Sequence, residues 1–410
     1  MFTQLIATLT LALYCAATPV VVRENLVKLP IARRFNATGS SKLVELDRAR
    51  AVALKNSVKS KHTSGRFKSA VRAAIGNEPV TNQATIYTAA VQVGNPPTTF
   101  DLIVDTGSSN TWVGATTPFA ATSTTVDTGE IVFVEYGSGF VLGNQLLDQV
   151  SFGGITIPQQ GIGSALLSDG FQGVDGIIGI GPTDLTLGTT SDGNEVPTVT
   201  DNAFTAGLIG ARQVGVSFEP TTSPSITNGE LSFGGPDTSK FTGSLHTVPV
   251  TTTSPANQFF GVDQSVTLGS TTILPTTAGI VDTGTTLILL ASDALAAYQT
   301  ATGAVLDQTT GLLKITAAQF AALPNLNFNI GGQTFSLTPN AQLWPRALNT
   351  AIGGTADDIL LIVSDLGTPS GEGLDFIDGF AFLERFYTVF DSDANTVSFA
   401  TTSFTDATSN

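Results

Sequence analysis

Cysteine is all but missing from this 410-residue sequence: Cys15 is the only one, and it sits in the apolar stretch at the start. Catalytic thiols, cysteine-ligated metals and a disulfide framework are therefore excluded from the remaining chain. Histidine is almost as scarce, with only His62 and His246. A Ser-His-Asp triad would have to rest on His246, a lone histidine between apparent strands that reads as structural. Long apolar runs are absent too. Leu5–Ala17 is too short to span a bilayer and ends in small residues, so 1–17 reads as a secretory signal rather than an N-terminal anchor. The polar tail Thr401–Asn410 has no hydrophobic end for a lipid anchor. A secreted product with no membrane partner is expected.

Positive charge is scarce over most of the chain and concentrated in one place. Of 18 Lys and Arg residues, 13 fall between Arg23 and Arg72, where Glu24, Glu45 and Asp47 are the only acids. The rest of the chain has five bases against 30 acids. A basic leader before an acidic body reads as an electrostatically docked prosegment, an intramolecular inhibitor rather than a nucleic-acid-binding tail. A body so poor in Lys and Arg has few fixed positive charges left to repel one another once its carboxylates protonate. Tolerance of acid and an acidic working environment follow as expectations.

The length exceeds what one compact core requires and divides as 1–17 signal, 18–75 prosegment, 76–245 first lobe and 246–410 second lobe. Leu43, Leu46, Ala53, Leu54 and Val58 give Lys42–Lys59 a helical spacing. Asn36-Ala37-Thr38 is a glycosylation sequon that would leave with the prosegment. The body reads as β-rich, with short runs such as Ile131–Val134 and Ile359–Val363 between turns of Gly, Thr, Ser, Asn and Asp. Helices are expected at Ala291–Thr302 and Ala317–Ala322.

Against these absences stands a duplication. Asp105-Thr106-Gly107 and Asp282-Thr283-Gly284 each follow an apolar run, Phe100–Val104 and Ala278–Val281, and each precedes hydroxyl residues, Ser108-Ser109 and Thr285-Thr286. Gly176-Ile177-Ile178-Gly179 lies downstream of the first, and Phe376-Ile377-Asp378-Gly379 downstream of the second. One such tripeptide arises easily by chance; two with matching flanks do not. The Asp brings a carboxylate, the Thr hydroxyl can tie the loop down, and the Gly permits a turn that brings the acid against its partner. Two carboxylates about 3 Å apart share one proton in acid, the arrangement needed for one to take a proton from water while the other polarises a carbonyl. Proton roles belong to the pair. No cofactor and no metal are called for. A two-acid glycosidase is the alternative among enzymes, and the Gly-bounded duplicated setting argues against it.

Val104–Val113, Ile280–Leu287 and Glu384–Asp391 resemble the signatures of the pepsin family of aspartic endopeptidases, and within it the basidiomycete branch. The resemblance runs from about Val80 to the end. It implies a mostly β, bilobal fold of two pseudo-twofold-related, antiparallel β-barrel-like lobes, with a flap hairpin over the central cleft. It further implies a monomeric zymogen that hydrolyses protein or peptide substrates in acid, preferentially between apolar residues, with Asp105 and Asp282 catalytic. Ser108 and Thr285 would bond the outer carboxylate oxygens, with Thr106, Gly107, Thr283 and Gly284 in support. The flap would span Ile131–Gly143, with Tyr136 held by Trp112. Ser138 and Gly139 would bond the substrate backbone, and Gly107, Gly284 and Thr286 would do so from the opposite side. Ile103, Val174 and Ile177 would shape the apolar pockets, with ordinary core packing as the alternative. A catalytically inactive pepsin-like binding or inhibitor protein is the rival reading; the retained acids, glycines and Tyr136 oppose it.

Two positions depart from the family pattern. Asp378 stands where the family has an apolar residue, and Phe380 where many members have an acid. A buried Asp378 would need partners, and both changes bear on the working pH more than on activity. Asp391–Asn395 looks like the opening of a calcium loop, but Thr396 replaces the glycine such a loop needs, so a hairpin turn is expected. Asp357-Asp358 reads as a solvated loop.

Overall fold

The computed structural model describes residues 26–35, 43–60, 85–137 and 139–409. The expected signal peptide, the sequon at 36–38, His62 and Ser138 lie outside them. No helix among the described residues is long and apolar enough to cross a membrane.

The duplication in sequence is a duplication in strand pairing. In the first half, Thr98–Asp105 lies parallel to Gly176–Gly179, with Asp105 opposite Gly179. Gly176–Gly179 pairs antiparallel with Thr111–Val113, which in turn runs parallel to Ile155–Asp169. In the second half, Thr271–Val281 lies parallel to Phe376–Asp378. Phe376–Asp378 pairs antiparallel with Ile288–Leu290, which runs parallel to Val363–Asp365. The fold is thus mostly β and in two related lobes. The first strand ends on Asp105 and the second one residue before Asp282, so each carboxylate emerges where the ladder stops.

Glycine is required at equivalent places behind both loops. A Cβ on Gly179 would lie 2.5 Å from the Ser109 carbonyl carbon, and one on Gly379 would lie 2.2 Å from the Leu287 carbonyl oxygen. The chain following each acid passes directly over these positions, which leaves no room for a side chain.

One sheet of thirteen strands gathers the first half, the C-terminal strands Phe386–Asp391 and Thr396–Thr401, and the N-terminal strand Val27–Phe35. The N-terminal strand is interior. It pairs antiparallel with Ser225–Phe233 on one side and Thr85–Val93 on the other. Its alternation explains why: Val27, Leu29, Ile31 and Arg33 point inward while Lys28 and Pro30 are exposed.

The helices fall at Leu43–Ser60, Ser292–Thr302 and Ala317–Ala322, as the spacing predicts. A further helix at Val199–Thr205 begins at a Thr198–Asp201 capping box. The run Ile359–Val363 is not one strand. Ile359–Leu361 joins a three-stranded sheet and Val363–Asp365 joins the seven-stranded one, and between them the Ile362 amide donates to the Gln342 carbonyl. The expectation of a solvated Asp357-Asp358 loop holds only for Asp357. Asp358 is buried, pairs with Lys314 and accepts from the Thr355 amide. His246 is half-buried with Nε2 3.0 Å from the Ile330 carbonyl, and Asp391–Thr396 is the turn of a hairpin with Asn395 at φ 53°.

Candidate active site

The two acid loops are joined by bonds that cross from one half to the other. The Thr106 amide donates to Thr283 Oγ1 and the Thr283 amide to Thr106 Oγ1, both at 3.0 Å. Each hydroxyl then donates to a carbonyl of the opposite half: Thr283 Oγ1 to Val104 at 3.0 Å and Thr106 Oγ1 to Val281 at 3.3 Å. Every donor of this set is buried and satisfied, so neither loop can shift without orphaning a group on the other.

Asp105 and Asp282 are fully buried at this junction. Their bonding is the same in each half. The outer oxygen of Asp105 accepts from Ser108 Oγ at 2.5 Å, and that of Asp282 from Thr285 Oγ1 at 2.6 Å. The inner oxygens accept from the Gly107 amide at 2.9 Å and the Gly284 amide at 3.1 Å. A Cβ on Gly107 would sit 2.8 Å from Asp282 Oδ1, and one on Gly284 would sit 2.7 Å from Asp105 Oδ1. Each glycine therefore lies against the carboxylate of the other half.

Between the acids lies a cation that the residue pattern did not single out. Arg50, from helix Leu43–Ser60, donates through Nη2 to Asp105 Oδ1 at 2.5 Å and to Asp282 Oδ1 at 3.0 Å, and through Nε to Asp282 Oδ2 at 2.7 Å. At Asp105, burial lifts the carboxyl above its ordinary range; Arg50 opposes this and the like charge of Asp282 adds to it. At Asp282 burial also acts upward, but the charge and bonds of Arg50, together with Thr285 and Gly284, hold the carboxyl below its ordinary range. One turn earlier on the helix, Asp47 accepts from the amides of Thr286 at 3.2 Å and Leu287 at 2.8 Å. Burial pushes the Asp47 carboxyl up to about 7, against the pull of those two amides and of Arg50. The helix face Leu43, Asp47, Arg50, Leu54 is one stripe at intervals of three and four. Asp47 and Arg50 are countable in the sequence only as charges of the basic leader. Their spacing on the stripe that carries Leu43 and Leu54 was the available signal.

The hairpin Val126–Glu135 with Phe140–Phe152 reaches over this cleft, and its turn is closed by the Tyr136 amide donating to the Gly139 carbonyl at 2.8 Å. Gly137, at φ +73°, abuts the helix: a Cβ there would lie 2.3 Å from the Ala49 carbonyl oxygen. Trp112 Nε1 donates to Tyr136 Oη at 2.9 Å. Phe171, absent from the sequence expectations, stands edge-on to both rings. Ile103, Val174 and Ile177 pack in the same apolar cluster. Ile103 and Ile177 also line, with Ile86, Phe171, Tyr136 and Leu46 of the helix, a pocket beside Asp105.

Behind the second acid, the Asp282 amide donates to the Asp378 carbonyl at 3.1 Å. The Asp378 side chain is fully buried, and its Oδ1 accepts from Gln264 Nε2 at 3.2 Å. Phe380 packs edge-on to Tyr87 and beneath the Arg33 guanidinium.

Residues 86–402 match the eukaryotic aspartyl protease family. Polyporopepsin of Irpex lacteus is 58% identical over 340 residues, covering 82% of this chain and 100% of that protein. Pepsin-2B of Gadus morhua is 33% identical over 344 residues, covering 79% and 98%. The crystal structure of the aspartic proteinase from Irpex lacteus superposes with a TM-score of 0.80 at 50% identity, covering 94% of this chain and 100% of that one.

Proposed function

The chain belongs to the eukaryotic aspartyl protease family and is an aspartic endopeptidase; on that premise we propose that Asp105 and Asp282 form its catalytic pair, and that the chain is a secreted zymogen silenced by its own leader. The observation that carries this reading is the matched bonding of the two acids about a single buried guanidinium.

With Arg50 withdrawn, the inner oxygens of the two carboxylates face each other across Gly107 and Gly284 with no cation between them. One proton shared by the pair relieves their repulsion. The ionised partner takes a proton from water, whose oxygen attacks the scissile carbonyl carbon. The protonated partner hydrogen-bonds the carbonyl oxygen and gives up its proton as the tetrahedral centre forms. Collapse of that centre breaks the C–N bond, and a carboxyl proton passes to the leaving amine. Ser108 and Thr285 hold the carboxylate planes. Gly107, Gly284, Thr286, Gly139 and Ser138 offer backbone or hydroxyl partners to an extended peptide. The apolar lining of the pocket beside Asp105 (Ile86, Ile103, Ile177 and Phe171) supports a preference for apolar residues at the cut.

Latency follows from occupancy. Arg50 neutralises the pair, Asp47 takes the Thr286 and Leu287 amides, and the helix lies beneath the flap. The full-length chain should be inert near neutral pH and should lose its leader in acid, by a cut in the stretch 73–80. Replacement of either acid, Asp105→Asn or Asp282→Asn, should lower hydrolysis of a protein substrate in acid by about 100-fold to 10,000-fold, the range of a lost general acid or base. Circular dichroism should report an unchanged fold. Comparable turnover by either variant would sink the mechanism.

A further inference from the structure

Gln264 and Asp378 are both fully buried and touch through one hydrogen bond. Their other two polar atoms, Gln264 Oε1 and Asp378 Oδ2, meet no hydrogen-bond donor among the described residues. Two acceptors left over on the same two side chains is what remains when a shared proton is left off. A proton on Oδ2 makes the carboxyl a donor to Oε1 while Oδ1 continues to accept from Nε2, and the pair closes into a ring in which no polar atom is orphaned.

We propose that Asp378 is a positioning residue: its carboxyl, kept as the neutral acid, closes a two-bond ring with the Gln264 amide, and this ring fixes the strand on which Asp282 hangs. The strand in question, Phe376–Asp378, lies between Thr271–Val281 and Ile288–Leu290, and the Asp378 carbonyl receives the Asp282 amide. Gln264 belongs to Gly261–Leu268, the antiparallel partner of Thr271–Val281 on its other side. The ring therefore ties together two strands that flank the strand leading into Asp282.

No charge on the packed elements competes for the proton. Asp282 reaches Asp378 only by the backbone bond, since its carboxylate is engaged by Arg50, Thr285 and Gly284. Asp263 on the Gln264 strand points to the exposed face and accepts from Thr251. Asp375 accepts from Thr277 and the amides of Gly371 and Glu372. Beyond Gly379, Glu384 faces Arg33 and Tyr87, and Arg385 faces the carbonyls of Phe404 and Ala407. Burial alone, opposed only by the Gln264 bond, lifts the Asp378 carboxyl to about 8. With the folded value raised, the stabilisation is complete below the ordinary 3.8 and declines as pH climbs to about 8. The ring holds through acid and opens in mild alkali.

The inference rests on Asp282 being catalytic, but its tests do not all depend on activity. Thermal unfolding of the full chain would be followed from about pH 4 to about pH 8 in wild type, Asp378→Asn and Gln264→Leu. An amide at 378 rebuilds the ring without a titrating proton, so Asp378→Asn should unfold with a visibly flatter pH dependence than wild type. Gln264→Leu should unfold earlier at every pH. Infrared difference spectra, wild type minus Asp378→Asn near neutral pH, should contain a neutral carboxyl band. For activity, the acid-processed enzyme would be held at about pH 8 and then assayed in acid, which separates loss of the site from titration of the dyad. Wild type should lose activity and Asp378→Asn should retain it, while Gln264→Leu should show a lower kcat with KM little changed. An unchanged pH slope in Asp378→Asn, or no neutral carboxyl in the difference spectrum, overturns the proposal. A mistaken role for Asp282 would be exposed separately, by activity surviving in Asp282→Asn.

Discussion

At Thr106 and Thr283 one side chain does the work of two. Each hydroxyl accepts from the other loop's amide and donates to a carbonyl beyond it. Removing one hydroxyl without changing shape strands a buried amide in the opposite half, where no water can compensate. Thr283→Val is therefore expected to cost about 1–3 kcal/mol, read as a lower midpoint in urea with an unchanged slope. A Thr106→Val, Thr283→Val double variant should cost less than the sum of the two singles, because both belong to one bonded set. Strict additivity would mean that the crossed bonds are independent of each other.

Individual residues also show what a sequence can disclose. Asp105 and Asp282 were legible because the acid loop, with hydroxyl residues behind it, occurs twice; the bonds of Ser108 and Thr285 to the carboxylates were legible through the family resemblance. Tyr136 and Trp112 were legible through the family resemblance, and they meet as it implied. Arg50 and Asp47 were not: their place on the stripe of Leu43 and Leu54 marks them as inward-facing, but it does not say that the arginine reaches two acids, one 55 and the other 232 positions away. Asp358 was misread for the same reason. Its partner Lys314 comes from a different strand, and only the assembled sheet brings the two together.

Among elements, the leader helix and the leader strand have different tasks. The helix places charges: Arg50 at the acids, Arg48 on Asp365, and Lys55 on Glu372 and Thr368. The strand supplies apolar area, with Val27, Leu29 and Ile31 turned into the core. Acid should loosen the helix. The Asp282 carboxyl is held below its ordinary range, so its contribution to docking is present above the ordinary value of 3.8 and vanishes as pH falls through the depressed one. On the strand, burial raises Asp237, but Lys28 and Ser239 more than offset it and leave the carboxyl depressed, so that contact too is lost only as pH falls below the ordinary carboxylate range. Arg50→Gln should keep the helix but shorten the lag before hydrolysis when the full-length chain is acidified; an unaltered lag would count against the charge clamp. Ile31→Ala should act on the other element, lowering full-length stability by about 2–5 kcal/mol in equilibrium unfolding.

Over the whole molecule, the imbalance of charge sets the response to pH. The five bases of the body are mostly committed: Arg212 to Asp393 and Asp201, Lys240 to Glu230, Lys314 to Asp358, and Arg385 to the C-terminal carbonyls. Protonating the surrounding carboxylates leaves few cations to repel one another, and the Asp378 ring adds a preference for the protonated side. Unfolding midpoints of the processed chain should hold steady or rise between neutral pH and about pH 4, the ordinary carboxylate range. A steep fall over that interval would refute the reading drawn from composition. The two-lobed plan itself was readable because a duplicated strand-and-turn pattern implies a duplicated fold. The weave of the thirteen-stranded sheet was not, because it joins strands from both ends of the chain.

That weave bears on how the molecule is made as well as on the latency proposed for it. Neighbouring strands lie about 4.8 Å apart, so withdrawing Val27–Phe35 from between its two partners leaves a slot roughly two spacings wide, bordered by unpaired amides and carbonyls along Thr85–Val93 and Ser225–Phe233. Such borders recruit strands from other copies. The leader is thus a building part of the newborn protein, and a body synthesised without it would begin life with an open seam and a tendency to stick to its own kind.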